Sequence, residues 1–226
     1  MTTKNKQFQP VRAFVIIAGL LALGVLGYLA YKEITKEATM VTPIASGAGS
    51  ANADVIKEAS DETPIVANAV STYKVAADEP RILRINSLSI SARVRPMGVN
   101  SAGAIAAPVN IYDSGWYTGS AKPGASGATF IDGHASGATR KGLFAYLDTL
   151  KNGNEVSIER GDGQVLTYKV VHVETVPKEL VDMQKVLRTY GNATEGLNLM
   201  TCTGTWIKDE RTYDKRAIVY TERVSS

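Results

Sequence analysis

Short runs of apolar or alternating residues, each closed by turn residues, recur through the C-terminal part of the chain. They fall at 82–85, 90–94, 128–132, 155–158, 166–173, 197–201 and 217–220. Runs of this length and period predict β-strands. Between them stand Lys122-Pro123-Gly124, Asn152-Gly153 and Gly161-Asp162-Gly163, and the last of these, between Ile158 and Val165, predicts a hairpin. Helical patterning is confined to 143–150 and 180–190. Pro177, Gly191 and Gly196 bracket the second as part of a long connection, a feature that often carries function. Strands at this spacing with few helices between them predict an all-β domain, either a sandwich or a closed barrel. A parallel sheet of alternating strands and helices lacks its helices. The run 197–201 gives way at Cys202 to Thr203-Gly204-Thr205-Trp206, so a strand is expected to end at the cysteine and a long polar loop to begin.

Upstream the pattern is different. Residues 13–31 form an unbroken, uncharged, mostly apolar run of 19. At ~1.5 Å per residue a helix of that length reaches about 28 Å, close to the hydrocarbon thickness of a bilayer. Its apolar residues lie all round a helix and not along one stripe, which argues against a core helix. A cleaved signal peptide has an apolar region of about 7–15 residues followed directly by a small-residue site, and neither condition is met. Lys4, Lys6 and Arg12 precede the run, whereas Lys32 and Lys36 behind it are mixed with Glu33 and Glu37. The bias places the N-terminus in the cytoplasm and the rest outside the cell membrane, as a single-pass protein. Beyond it the chain turns to Ala, Ser, Thr, Val and Gly without sustained period, the composition of a flexible stalk, with a weak helix allowed at 51–60. The expected organisation is a tail at 1–12, a membrane anchor at 13–31, a stalk at 32–80 and one folded domain at 81–226.

Charge narrows the partners. The net charge of +3 is carried by residues 1–12 alone, since the remaining 22 basic and 22 acidic residues cancel. No basic face is left on the domain for nucleic acid. One Cys and two His exclude an intrachain disulfide and leave little for a metal site. No glycine-rich nucleotide-binding motif is present.

The chemistry-bearing candidates are few. Cys202 lies in LNLMTCTGTW at the expected strand end. Most free cysteines are small buried hydrophobes, yet a lone thiol outside the membrane, with no partner in its chain, equally invites a reactive role. His134 follows a strand in ATFIDGHASG and can present its ring to a cleft, or simply make a loop hydrogen bond. His172 sits mid-strand in YKVVHVET, sharing a face with Tyr168, Val170 and Glu174, which reads as structural. A thiol needs a base or cation beside it to become a nucleophile, and acyl transfer needs positive charge or donors at the oxyanion. Arg216, opening the run RAIVY, can supply that charge; Arg211 and Lys215 compete with it, and either arginine can equally be a solvated surface residue.

The segments TFIDGH, LNLMTC and RAIVY, in that order and near the C-terminus, resemble the sortases, cysteine transpeptidases of bacterial surfaces. The resemblance covers about 81–226 and is strongest at 128–134, 197–204 and 215–222. It implies the eight-stranded sortase barrel, with Cys202 as nucleophile, His134 as general acid and base, and Arg216 stabilising substrate or oxyanion. It implies cleavage of an LPxTG-like sorting signal after Thr, a thioacyl intermediate, and transfer to an amine of cell-wall precursor or a pilin lysine. No cofactor is implied, and no acidic cluster supports a calcium requirement. With no evident N-terminal lid or C-terminal apolar tail, the layout favours a single-span type near classes D to F.

Two other enzyme classes fit poorly. An L,D-transpeptidase would hold His and Cys close together in the chain, but here they are 68 residues apart. A papain-like hydrolase would place Cys before His. The remaining alternative is a membrane-tethered β-domain that binds a surface ligand, with Cys202 in its core.

Overall fold

A computed structural model of the chain describes residues 60–101 and 103–224. The expected tail, the anchor at 13–31, the stalk as far as 59 and the helix allowed at 51–60, but for its last residue, lie outside the described residues. Among the described residues no helix is long and apolar enough to cross a membrane.

Among the described residues eight strands form: β1 (Pro80–Ile85), β2 (Ile90–Met97), β3 (Ser114–Tyr117), β4 (Gly127–Gly133), β5 (Glu155–Arg160), β6 (Val165–Pro177), β7 (Glu195–Ile207) and β8 (Thr212–Arg223). They close into a barrel in the order β1-β2-β3-β4-β7-β8-β6-β5, with β5 pairing back on β1. The fold is all-β, as the alternation predicts, and of the two architectures left open it is the barrel. β2–β3 and β4–β7 pair in parallel and the other neighbours antiparallel. The expected hairpin joins β5 to β6 through Gly161–Gln164, with Gly163 at φ 85.

Two packed faces explain the sequence pattern along β4, β7 and β8. Inside the barrel, Ile131, Leu197, Leu199 and Val219 join Leu83, Val94, Val156, Ile158 and Tyr168 in one core. Outside it, Phe130, Ile218 and Tyr220 pack with Met200 under Val181, Met183, Val186, Leu187 and Tyr190 of the connection between β6 and β7. Strands covered on both sides read as continuous apolar runs, which is why LNLM and AIVY do not alternate. Asn198 donates Nδ2 to the carbonyls of Val186 (2.7 Å) and Arg188 (2.8 Å), fixing that connection to β7.

Several expectations change. The strand at Cys202 does not stop there: β7 runs on to Ile207 and turns back into β8. The Gly204 that reads as a break lies at φ 91 where the β7–β8 register shifts, and the Thr205 amide donates to Asp214 Oδ1 (2.7 Å). It is a β-bulge, with glycine supplying the left-handed residue. β3 escapes the pattern because Ser-Gly-Trp-Tyr is short and only one of its residues is a bulky inward apolar one. The helix expected at 180–190 is reduced to α2 (Met183–Val186), after α1 (Ala67–Ser71). At 143–150 only a single 3-10 turn forms, Leu147–Thr149. The Leu143 and Phe144 amides are spent on the carbonyls of Ile111 (2.8 Å) and His134 (2.9 Å), while Phe144, Leu147 and Leu150 fill the barrel core. His172 does not share a face with Tyr168 and Val170. The β6–β8 register shifts between Val170 and His172, which turns His172 outward beside Tyr220 and stacks it on Tyr190 at 5.0 Å.

The stretch from 60 to 79 is attached to the barrel, against the expectation of a free stalk reaching 80. Asp61 bridges to Asn110, and the Glu62 carboxylate accepts from the Thr139 amide at 2.9 Å. Tyr73 donates its hydroxyl to the Val94 carbonyl (2.9 Å) and lies under the guanidinium groups of Arg93 and Arg95.

Candidate active site

Strand registers decide which side chains can meet. On the antiparallel β7–β8 ladder Cys202 stands directly opposite Arg216, and Leu199 opposite Val219. On the parallel β4–β7 ladder Asp132 stands beside Met200. The ladder ends at that pair; beyond it Thr201 Oγ1 donates to the Gly133 carbonyl (2.8 Å), and His134 and Cys202 are the residues that follow these two. Leu199 and Val219 face the core, so alternation turns Cys202 and Arg216 to the outer side. Cys202 and Arg216 therefore stand side by side on β7 and β8, with His134 just past the end of the adjoining β4. The competitors are elsewhere. Arg211 is exposed in the β7–β8 turn at φ 52, Lys215 is exposed opposite Thr203, and His172 lies four residues along β6 from Val176, the residue opposite Arg216.

His134 is held by its surroundings. Its Nε2 is 2.7 Å from the Pro108 carbonyl, which can only accept, so the neutral ring carries its proton on Nε2 and leaves Nδ1 as its acceptor. A Cβ on Gly142 would overlap the His134 carbonyl, and one on Gly133 would meet the Phe144 ring at 2.7 Å. Both glycines let neighbouring groups close on the histidine.

Arg216 is fixed by its own strand. Nη1 donates to the carbonyls of Tyr213 (2.9 Å) and Lys215 (2.9 Å), and Nη2 to Thr212 Oγ1 (3.1 Å). The Thr212 hydroxyl, which accepts from the arginine, also favours the thiolate at Cys202. Burial pushes the Cys202 thiol above the ordinary cysteine range, Arg216 pulls it down, and a charged Asp132 would push it further up. The resting sulfur is therefore a protonated thiol that needs a base as well as the cation. Sequence reasoning passed over Thr212, Thr201 and Asp132. The hydroxyls had no signal, because their use depends on the register and the bulge. Among the described residues no group of three or more His, Cys, Asp or Glu is placed to hold a metal ion.

The Sortase domain family model matches residues 83–224. The chain belongs to the sortase family. Family membership makes it a sortase-type cysteine transpeptidase. Solved sortases share the fold. Sortase C of Streptococcus pneumoniae is 22% identical over 74% of this chain and 76% of its own, with a TM-score of 0.51. Sortase C1 of Streptococcus agalactiae, in complex with MTSET, is 21% identical over 71% of this chain and 76% of its own, with a TM-score of 0.51. A lid mutant of sortase A from Corynebacterium diphtheriae is 23% identical over 65% of this chain and 70% of its own, with a TM-score of 0.50. No curated protein sequence matches the chain.

Proposed function

We propose that this sortase cleaves an LPxTG-like signal between Thr and Gly, with Cys202 as nucleophile, His134 as general base and acid, and Arg216 as oxyanion stabiliser. The single observation that supports the assignment is Cys202 facing Arg216 across β7–β8, with His134 just past the end of the adjoining β4. His134 accepts the thiol proton as sulfur attacks the Thr carbonyl carbon. An arginine has five N–H donors, three of which are taken by Tyr213, Lys215 and Thr212. The Nε–H and the second Nη2–H are left for the tetrahedral oxyanion. Collapse breaks the Thr–Gly C–N bond, and His134 returns the proton to the leaving Gly amine. The acceptor amine then attacks the thioester, gives its proton to His134 and expels the Cys202 sulfur. The acceptor is a cell-wall precursor amine or a pilin lysine. Residues 13–31 anchor the enzyme in the cell membrane, with the barrel on the outer side.

The test uses the full chain in detergent micelles, a pool of LPxTG-like peptides and triglycine, read by mass spectrometry. Expected are an amine-linked product and a thioacyl adduct on Cys202, with both lost in Cys202→Ala. Full transpeptidation by Cys202→Ala would overturn the nucleophile.

A further inference from the structure

Asp132 lies on the outer face of β4, two residues before His134, and pairs across the sheet with Met200 on one side and Gly115 on the other. Part of the residue reaches the surface, but its Oδ1 is sealed and has no hydrogen-bond partner. The oxygen packs on Gly115: a Cβ there would stand 2.6 Å from Oδ1, 2.7 Å from Met97 Cγ and 3.1 Å from Pro108 Cδ. None of these three neighbours can ionise or neutralise a charge. The titratable and charged groups on the elements about the carboxyl are His134 just past its own strand, Tyr117 on β3, Arg95 paired with Gly115 on β2, the Arg93–Asp113 ion pair just before β3, Cys202 on β7 and Arg216 beyond it on β8. A carboxylate with one oxygen enclosed in this way is costly to ionise, which favours the protonated form. Burial pushes Asp132 up to about 8. A carboxylate at 132 opposes the thiolate at 202.

We propose that Asp132 is a positioning residue of this active site, whose bound proton leaves the Cys202 thiolate unopposed and whose loss sets a negative charge against it. The proposal rests on the reading of Cys202 as nucleophile. It makes thiol activation a coupled titration, in which Asp132 deprotonates before the thiol and delays it. A rise in pH that would ordinarily increase the thiolate first charges its neighbour.

The chain has a single cysteine, so alkylation by iodoacetamide reports on Cys202 alone. The experiment measures that rate from pH 5.5 to 10 on the full chain in micelles, for the parent and Asp132→Asn. The amide cannot ionise, so its alkylation midpoint is expected about half a unit lower, giving a rate about threefold faster near pH 9, where the parent carboxyl is charged, and rates that converge below about pH 7. The alkaline side of the pH profile of transpeptidation should move in the same direction. A purely structural Asp132 would change stability and leave both profiles in place; superimposable profiles overturn the proposal. If Asp132→Asn does not fold, carbon-13 carboxyl shifts in the parent decide: a midpoint above pH 7 supports the proposal, and a carboxylate already formed at pH 6 overturns it. Cys202→Ala is run alongside. Retained transpeptidation there would remove the nucleophile, whereas the alkylation profiles test the coupling without reference to it.

Discussion

Two aspartates stand close together in this barrel and are treated in opposite ways. Asp113, just before β3, is buried and receives a two-pronged guanidinium: Arg93 Nε to Oδ1 and Nη2 to Oδ2, both at 2.8 Å. Asp132, across the β3–β4 pair, has an equally sealed Oδ1 facing a glycine, a methionine and a proline. The first is a structural ion pair in the geometry that best repays desolvation. The second leaves a polar atom unsatisfied. A fold able to satisfy one acid fully has left an oxygen of the other without a partner, two residues from His134.

The largest effect should come from breaking the satisfied site. Arg93→Met leaves Asp113 buried and unpaired, and removing one partner of such a pair costs about 3–5 kcal/mol. Because the Arg93 side chain is 20% exposed, water can reach part of the site, and the loss is expected at the low end. A denaturant titration would register it as a lowered midpoint. The alkylation profile of Cys202 should stay where it is, since this pair sits outside the candidate site.

Asp132→Asn should do the reverse. The native carboxyl holds its proton up to about pH 8, whereas in the unfolded chain it ionises near its ordinary value of about 3.9. Between those values the native state binds the extra proton, so parent stability falls as pH rises and levels off above about 8. Asparagine removes that dependence. The melting temperature of Asp132→Asn relative to the parent should therefore climb from pH 5 to pH 8. A difference that is constant with pH would mean the carboxyl is already charged in the native barrel.

Much of this architecture is legible in the chain. The β-branched runs mark seven of the eight strands, and Cys202, His134 and Arg216 stand out by residue type and position. Their alignment is not legible. It depends on a parallel pairing between β4 and β7, whose partners Asp132 and Met200 are 68 residues apart, and no local pattern states such a register. The β7 extension was hidden because Gly204 reads as a turn where it serves a bulge. The bulge after Val170 likewise reversed the face assigned to His172. Asp132 reads as an ordinary polar strand end, because the groups that isolate it come from β2, β3 and the connector between them.

The smallest effect sharpens the comparison from the other side of the thiol. Thr212 favours the thiolate that a charged Asp132 opposes, and its buried hydroxyl also accepts from Arg216 Nη2 at 3.1 Å. Thr212→Val keeps the shape and removes the hydroxyl. The thiol should titrate higher, and iodoacetamide should react about two- to threefold more slowly near pH 8, equivalent to roughly a third to half of a unit. Thr212→Ser should restore the parent rate, which a packing defect would not allow. Thr212 and Asp132 stand on different strands, β8 and β4. Their effects on the Cys202 midpoint should add with opposite sign in the double variant with Asp132→Asn. A double variant that tracks Thr212→Val alone would show that Asp132 carries no charge in the range where the thiol ionises.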